Sequence, residues 1–299
     1  AVLLRWSERY DESKALFEEC EQVAARTLEP EHRFIHTVRR NYAALLKAMK
    51  QYDQAVVVLR KVLKEEREIL GLEHPDVLTT KYKLAATLSY LDEDEEALSL
   101  LSEVVQGREK CLGEEHPSTV VAYVSLAELL NATEQYGAAS EAQKKVVRNH
   151  TARFGAEHSK TLYARYTLAQ YLFAASSYSE ALAAFEHTLE GETALYGAES
   201  SELTMTHWNL ARCLRRLERP KQAAYHRRRC WALEIYADGA STPGTLQTAV
   251  ALVEDLRAAE EFDEALEVIQ QALAAAEQEP LDDAKQDKWI ERLKDLSKG

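Results

Sequence analysis

A 42-residue repeat runs through this sequence without an insertion, and that regularity restricts the fold more than any other feature. A glycine followed two residues later by an acid recurs at Gly71/Glu73, Gly113/Glu115, Gly155/Glu157 and Gly197/Glu199, while Gly239 keeps the spacing without the acid. Glu31-His32 stands one period before Glu73-His74, with Glu29 in the glycine position. A second column pairs a large residue with a small one: Tyr42-Ala43, Leu84-Ala85, Leu126-Ala127, Leu168-Ala169, Leu210-Ala211 and Leu252-Val253. A third is alanine at Ala55, Ala97, Ala139, Ala181, Ala223 and Ala265, with Ser13 one period earlier. Tyr52, Tyr136, Tyr178 and Phe262 form an aromatic column that Asp94 and Pro220 interrupt.

Two helices approach within about 8–10 Å only where small side chains face each other. The small columns therefore predict helix pairs, with the aromatic filling the wedge between the two members. Glycine closes the second helix with a left-handed cap, and His-Pro then stops the helix before the next one starts. Asp76 and Ser118, after Pro75 and Pro117, suit a helix start. Only 10 Gly and 6 Pro among 299 residues leave little material for the turns of an all-β fold. The expected fold is a right-handed all-α solenoid. First helices are placed near 34–49, 76–91, 118–133, 160–175, 202–217 and 244–259. Second helices are placed near 10–28, 52–70, 94–112, 136–154, 178–196, 220–237 and 262–278. Residues 1–33 read as a partial repeat, 34–280 as six repeats and 281–299 as a C-terminal capping helix with Trp289, Ile290, Leu293 and Leu296 on one side; Glu279-Pro280 ends the helix before it. Ala1 falls on the small-residue column, which predicts a chain that starts inside a first helix and is a piece of something longer.

The period, the turns Leu70-Gly71-Leu72-Glu73-His74-Pro75 and Leu112-Gly113-Glu114-Glu115-His116-Pro117, and the Leu-Ala pairs resemble the kinesin-light-chain subclass of tetratricopeptide repeats. The resemblance covers nearly the whole chain and implies a protein-interaction module that binds a peptide along a groove lined by first helices. In that subclass an asparagine commonly stands within the two residues before the Leu-Ala pair; directly before the pair, this chain has asparagine only at Asn41 and Asn209.

If first helices line a groove, the column two residues before the Leu-Ala pair, from Arg40 and Tyr82 to Tyr166, Trp208 and Val250, faces inward with its neighbours three and four residues away. The richest stretch presents Tyr163, Tyr166, Phe173, Met205, Trp208, Asn209, Arg212 and Arg215, the aromatic and arginine chemistry that dominates binding hot spots. The alternative is that Tyr166 and Trp208 complete packing between first helices. Between Arg212 and Arg229 lie eight cations (Arg212, Arg215, Arg216, Arg219, Lys221, Arg227, Arg228 and Arg229) and one acid, Glu218. The segment carries +7 in a chain of net charge -13. It either receives an acidic partner or pairs with the chain's own acids. Arg228 and Arg229 sit on a second helix and are expected outside the groove.

Net acidity argues against nucleic acid as a partner, and no apolar run reaches the length of a membrane span. Cys20, Cys111, Cys213 and Cys230 form no CxxC pair and read as small buried residues of a reducing, cytoplasmic compartment. His74, His116 and His158 are roughly 20 Å apart in a stacked array, two helix diameters per repeat, so they read as turn residues rather than metal ligands. His226 and Cys230 share a helix without a second ligand pair. The chain shows no HExxH, no phosphate-binding glycine loop and no GxSxG. No catalytic, metal or cofactor site is expected. Two functions fit: a module binding a protein or peptide of acidic character, or a regulatory or sensor array cut from a larger effector and acting on a neighbouring domain.

Overall fold

The structure, a computed structural model, describes residues 9–29, 32–279 and 284–298. Ala1, Glu31, Pro280 and the expected start of the last helix at 281 lie outside them. The described residues form fourteen α-helices and no strand. The chain divides into two compact units, Ala1–Asn149 and His150–Gly299. The first holds α1 (Tyr10–Thr27), α2 (Arg33–Ala48), α3 (Tyr52–Leu70), α4 (Pro75–Leu88), α5 (Asp94–Leu112) and α6 (Pro117–Ala132). Helix α7 (Tyr136–Phe154) carries the boundary. The second holds α8 (Ser159–Ala174), α9 (Tyr178–Tyr196), α10 (Thr204–Arg216), α11 (Pro220–Asp238), α12 (Pro243–Ala258), α13 (Phe262–Gln278) and α14 (Ala284–Leu296). A single 3-10 turn, Ser201–Leu203, leads into α10, where the sequence pattern anticipates continuous helix. Within each unit consecutive helices pack as pairs, the expected all-α solenoid pattern.

The small columns lie where the helices meet. Ala43, Ala85, Ala127, Ala169, Ala211 and Val253 are all buried, as are their partners from Ala55 to Ala265 and Ser13. The aromatic column is less uniform than expected. Tyr52 is half-buried and stacks on Tyr90 with ring centroids 4.9 Å apart, but Phe262 is 58% exposed and fills no wedge. The cysteines also divide. Cys213 and Cys230 are buried as expected, whereas Cys20 and Cys111 are exposed.

The turns between repeats differ from the expected left-handed cap. Gly71, Gly113, Gly197 and Gly239 do have positive φ, but ψ lies between 155 and 166°. That extended, positive-φ region is open essentially to glycine alone. The next helix is then capped by the residue one before the proline position. Nδ1 of His32, His74, His116 and His158 accepts the backbone N–H two residues on, and Ser200 and Thr242 cap with their hydroxyls. The histidine column thus has a capping role that each helix start requires.

Left-handed residues occur instead inside each repeat, at Lys50, Asp92, Glu134, Ser176, Glu218 and Glu260, all with φ between 56 and 64°. Each is followed by an N–H bonded back to the carbonyl five residues earlier, as in Gln51→Leu46 and Gln135→Leu130, both 2.8 Å, which is the Schellman closure of the first helix. A side chain at such a position costs roughly 1–2 kcal/mol relative to glycine, partly offset by the freedom glycine adds to the unfolded chain. Glu134→Gly is therefore expected to stabilise the protein by about 0.5–1 kcal/mol, read as a higher urea midpoint with an unchanged slope.

A buried polar contact recurs with the repeat. Thr80 Oγ1 donates to Glu66 at 2.5 Å and Thr206 Oγ1 to Glu192 at 2.7 Å, and Thr248 hydrogen-bonds Glu234 in the same register. Burial pushes all three carboxyls above the usual range. In the N-terminal unit Arg40, expected to face a groove, is instead buried and bonded to Glu66 at 2.8 Å. Val250, of the same column, is buried in the core of the C-terminal unit, where Trp289, Ile290, Leu293 and Leu296 of α14 pack as expected for a capping helix. No helix among the described residues is long and apolar enough to cross a membrane.

Candidate partner-binding surface

The eight residues singled out by spacing all lie on α8 and α10 of the C-terminal unit. Tyr163, Tyr166 and Phe173 share one face of α8, and Met205, Trp208, Asn209, Arg212 and Arg215 follow the spacing of three and four on α10. Tyr163 and Met205 are open to solvent, 74% and 57% exposed. Behind them a polar chain links the two helices. Asn209 is buried; its Nδ2 donates to Tyr166 Oη at 2.8 Å and to the Met205 carbonyl at 2.9 Å. Its Oδ1 accepts from Arg212 Nη1 at 3.0 Å, and the Arg212 guanidinium lies 4.3 Å from the centre of the Phe173 ring. Tyr166 also packs edge-on against Phe185 at 5.5 Å. Burial, then the nearby Glu192 carboxyl, raises the Tyr166 phenol above its ordinary pKa, so it stays a neutral hydroxyl.

The structure therefore joins Tyr166, Phe173, Asn209 and Arg212 into one contact network, with Asn209 as its internal brace. Trp208 stands apart from that network. Its ring lies under the Arg227 guanidinium at 3.9 Å, and it lines a cavity of about 580 Å³ with Gln247, Val250, Trp289 and Arg292. Arg215 turns toward α12, donating to the Glu254 carbonyl at 3.0 Å and pairing with Asp255 at 3.3 Å.

The basic segment is divided by the fold. Arg227 is buried and bonds Asp255 at 3.3 Å. Burial pushes the Asp255 carboxyl up, against the pull of Arg227 and then Arg215. Arg228 pairs with Glu264 at 2.6 Å and Arg229 with Glu199 at 3.1 Å, so internal acids account for both. Arg212, Arg215, Arg216 and Arg227 gather, with Phe173, Ala251, Glu254 and Asp255, around a second cavity of about 220 Å³.

Two groups escaped the sequence pattern. His226 does not act with Cys230; its Nδ1 lies 2.9 Å from Nδ1 of His207 on α10, and burial holds both imidazoles down at about 4. No periodic signal links residues on two helices in this way. Burial, then Glu234, pushes the Cys230 thiol up to about 12, and burial does the same to Cys213, so neither is a nucleophile near neutral pH. The second is a cavity of about 630 Å³ in the N-terminal unit, where Tyr82, Tyr90 and Tyr52 surround Lys47. Lys47 Nζ donates to the Ala86 carbonyl at 2.8 Å and lies 4.7 Å from the Tyr90 ring centre; burial lowers its pKa. Tyr82 belongs to the inward column and Ala86 lies four residues on, so part of the lining shares that register although the cavity was not singled out.

The tetratricopeptide repeat family model matches residues 1–64, 34–110, 76–152 and 118–192. No curated protein matches the sequence. Among solved structures, nearly identical TPR-like repeats from Podosopora anserina, named for the kinesin light chain, share 24% identity, with a TM-score of 0.58 over 67% of this chain and 95% of theirs. The C-terminal part of a TPR repeat-containing protein from Cytophaga hutchinsonii is 12% identical, with a TM-score of 0.66 over 96% of this chain and 97% of that one. BtubC (BKLC) from P. vanneervenii is 14% identical, with a TM-score of 0.58 over 78% and 92%. At these identities the likeness is one of fold.

Proposed function

The chain belongs to the tetratricopeptide repeat family, and on that premise we propose that the α8–α10 face binds an extended or helical segment of a protein partner with acidic character. The observation that carries this reading is the pairing of two solvent-open apolar side chains, Tyr163 and Met205, with a guanidinium held over the Phe173 ring. Aromatic, methionine and arginine side chains give large contact area to a partner. Arg212 is already oriented by Asn209 and Phe173, so little of its freedom is lost when it binds a carboxylate. Tyr166 and Asn209 brace the surface, Arg215 and Trp208 form its edge toward α12, and the role is one of binding rather than catalysis, in the cytoplasm. The kinesin-light-chain character of the repeats belongs to the same reading and rests on the two Leu-Gly-x-Glu-His-Pro turns.

The test is affinity capture with the whole chain beside a Tyr163→Ala/Met205→Ala variant. Both residues are exposed, so the fold should persist. Each substitution is expected to cost about 1–2 kcal/mol of binding, so the double variant should lose captured partner at least about tenfold. Full recovery of every partner by the folded variant would refute the assignment.

A further inference from the structure

We propose that the 220 Å³ cavity bounded by Phe173, Arg212, Arg215, Arg216 and Arg227 is a binding site for a phosphate monoester dianion. The inference deepens the reading of the α8–α10 face, since Arg212 and Arg215 belong to both.

Charge is the first argument. Four guanidinium groups line the cavity and two carboxylates, Glu254 and Asp255, oppose them. Asp255 is occupied by Arg227 and Arg215, each at 3.3 Å, and Glu254 is drawn to Arg292 at 3.0 Å. Among the described residues no carboxylate pairs with Arg212 or Arg216. Arg212 is held by the Asn209 amide and the Phe173 ring, and Arg216 lies 6.0 Å from the Tyr178 ring centre. Four guanidinium groups against two carboxylates leave the lining with a net charge of +2, which matches the charge of a phosphate monoester above its second ionisation.

Shape is the second. Arg212, Arg215 and Arg216 stand at i, i+3 and i+4 on α10, so their forks come to one mouth. Arg227 approaches from α11, fixed on Asp255 and the Trp208 ring, with its Nη1 lacking a hydrogen-bond partner. A tetrahedral group with three terminal oxygens can accept from several guanidinium forks at once, whereas a planar carboxylate offers two coplanar oxygens. The cavity corresponds to about seven waters at ~30 Å³ each, enough for a phosphoryl group and its ester oxygen. The buried Arg227 supplies fixed charge at the floor, and Arg212 and Arg216 supply the donors.

The probes are inorganic phosphate and a five-residue alanine peptide with a central phosphoserine, titrated calorimetrically into the whole chain at constant ionic strength set by chloride. Wild type is expected to bind one equivalent of each. Arg212→Gln/Arg216→Gln removes two exposed charges without touching the buried pair and should weaken binding at least about tenfold, since each charge-assisted hydrogen bond contributes ~1.5–3 kcal/mol. Arg60→Gln/Arg148→Gln removes the same charge from the N-terminal unit and should leave affinity within about twofold, because neither side chain lines the cavity. Tighter binding of the peptide than of inorganic phosphate assigns the group to a phosphorylated partner side chain; equal binding assigns it to a small soluble phosphate. Absence of saturable binding to either probe, or equal binding by Arg212→Gln/Arg216→Gln, overturns the proposal. Neither probe engages Tyr163 and Met205, so that result leaves the partner-capture test standing on its own.

Discussion

Asp255→Ala is expected to destabilise the C-terminal unit by about 3–5 kcal/mol, the cost of removing one partner from a buried ion pair. The carboxylate and the Arg227 guanidinium are both almost fully buried, and Asp255 also holds Arg215. Without it, Arg227 remains between α10, α11 and α12 as an uncompensated buried charge. A double variant, Asp255→Leu/Arg227→Met, removes both charges and fills similar volume, so it should recover most of the loss. Urea unfolding followed by tryptophan fluorescence reads the effect, because Trp208, Trp231 and Trp289 all lie in this unit. If Asp255→Ala unfolds at the wild-type urea midpoint, the pair is not the internal support described above.

Acid should weaken the same unit through His207 and His226. In the folded chain burial holds both imidazoles at about 4, with the charge of His226 and then Arg229 adding to the effect at His207. In the unfolded chain each titrates near 6.5. The unfolded state therefore takes up protons that the folded state refuses, and stability falls as pH drops from about 6.5 toward 4, then levels off. The two rings share one 2.9 Å contact between Nδ1 atoms, which a doubly protonated pair could not keep. The loss is on the order of 3 kcal/mol for each imidazole. Glu192, Glu234 and Asp255 act in the opposite sense, because burial raises their pKa and protonation relieves the folded state. The informative quantity is thus the difference between wild type and His207→Gln/His226→Gln in unfolding free energy at pH 7 and pH 4.5. Equal pH slopes in the two proteins would show that the imidazoles are not what acid acts upon.

Repeat spacing made the helices legible to within a few residues, because every repeat satisfies the same local demands. Ala85 and Ala97 had to be small for α4 and α5 to touch, and both are fully buried. Glycine at 71 and its successors had to be glycine, although the region they occupy is extended rather than left-handed. The left-handed turn residues from Lys50 to Glu260 escaped notice because their types vary while their φ does not. The candidate surface was legible as faces of α8 and α10, since helical spacing alone collects Tyr163 with Tyr166 and Met205 with Arg212.

What the sequence determined by itself is the period and the pairing of neighbouring helices, both consequences of backbone geometry and contact between near neighbours. What only the tertiary structure decided is which charged side chains meet. Arg227, Arg228 and Arg229 are consecutive in a basic run, yet one is buried on Asp255, one meets Glu264 and one meets Glu199. Successive residues on a helix point about 100° apart, so three adjacent arginines face three different surroundings. Their pairing or freedom depends on what other helices bring to each direction.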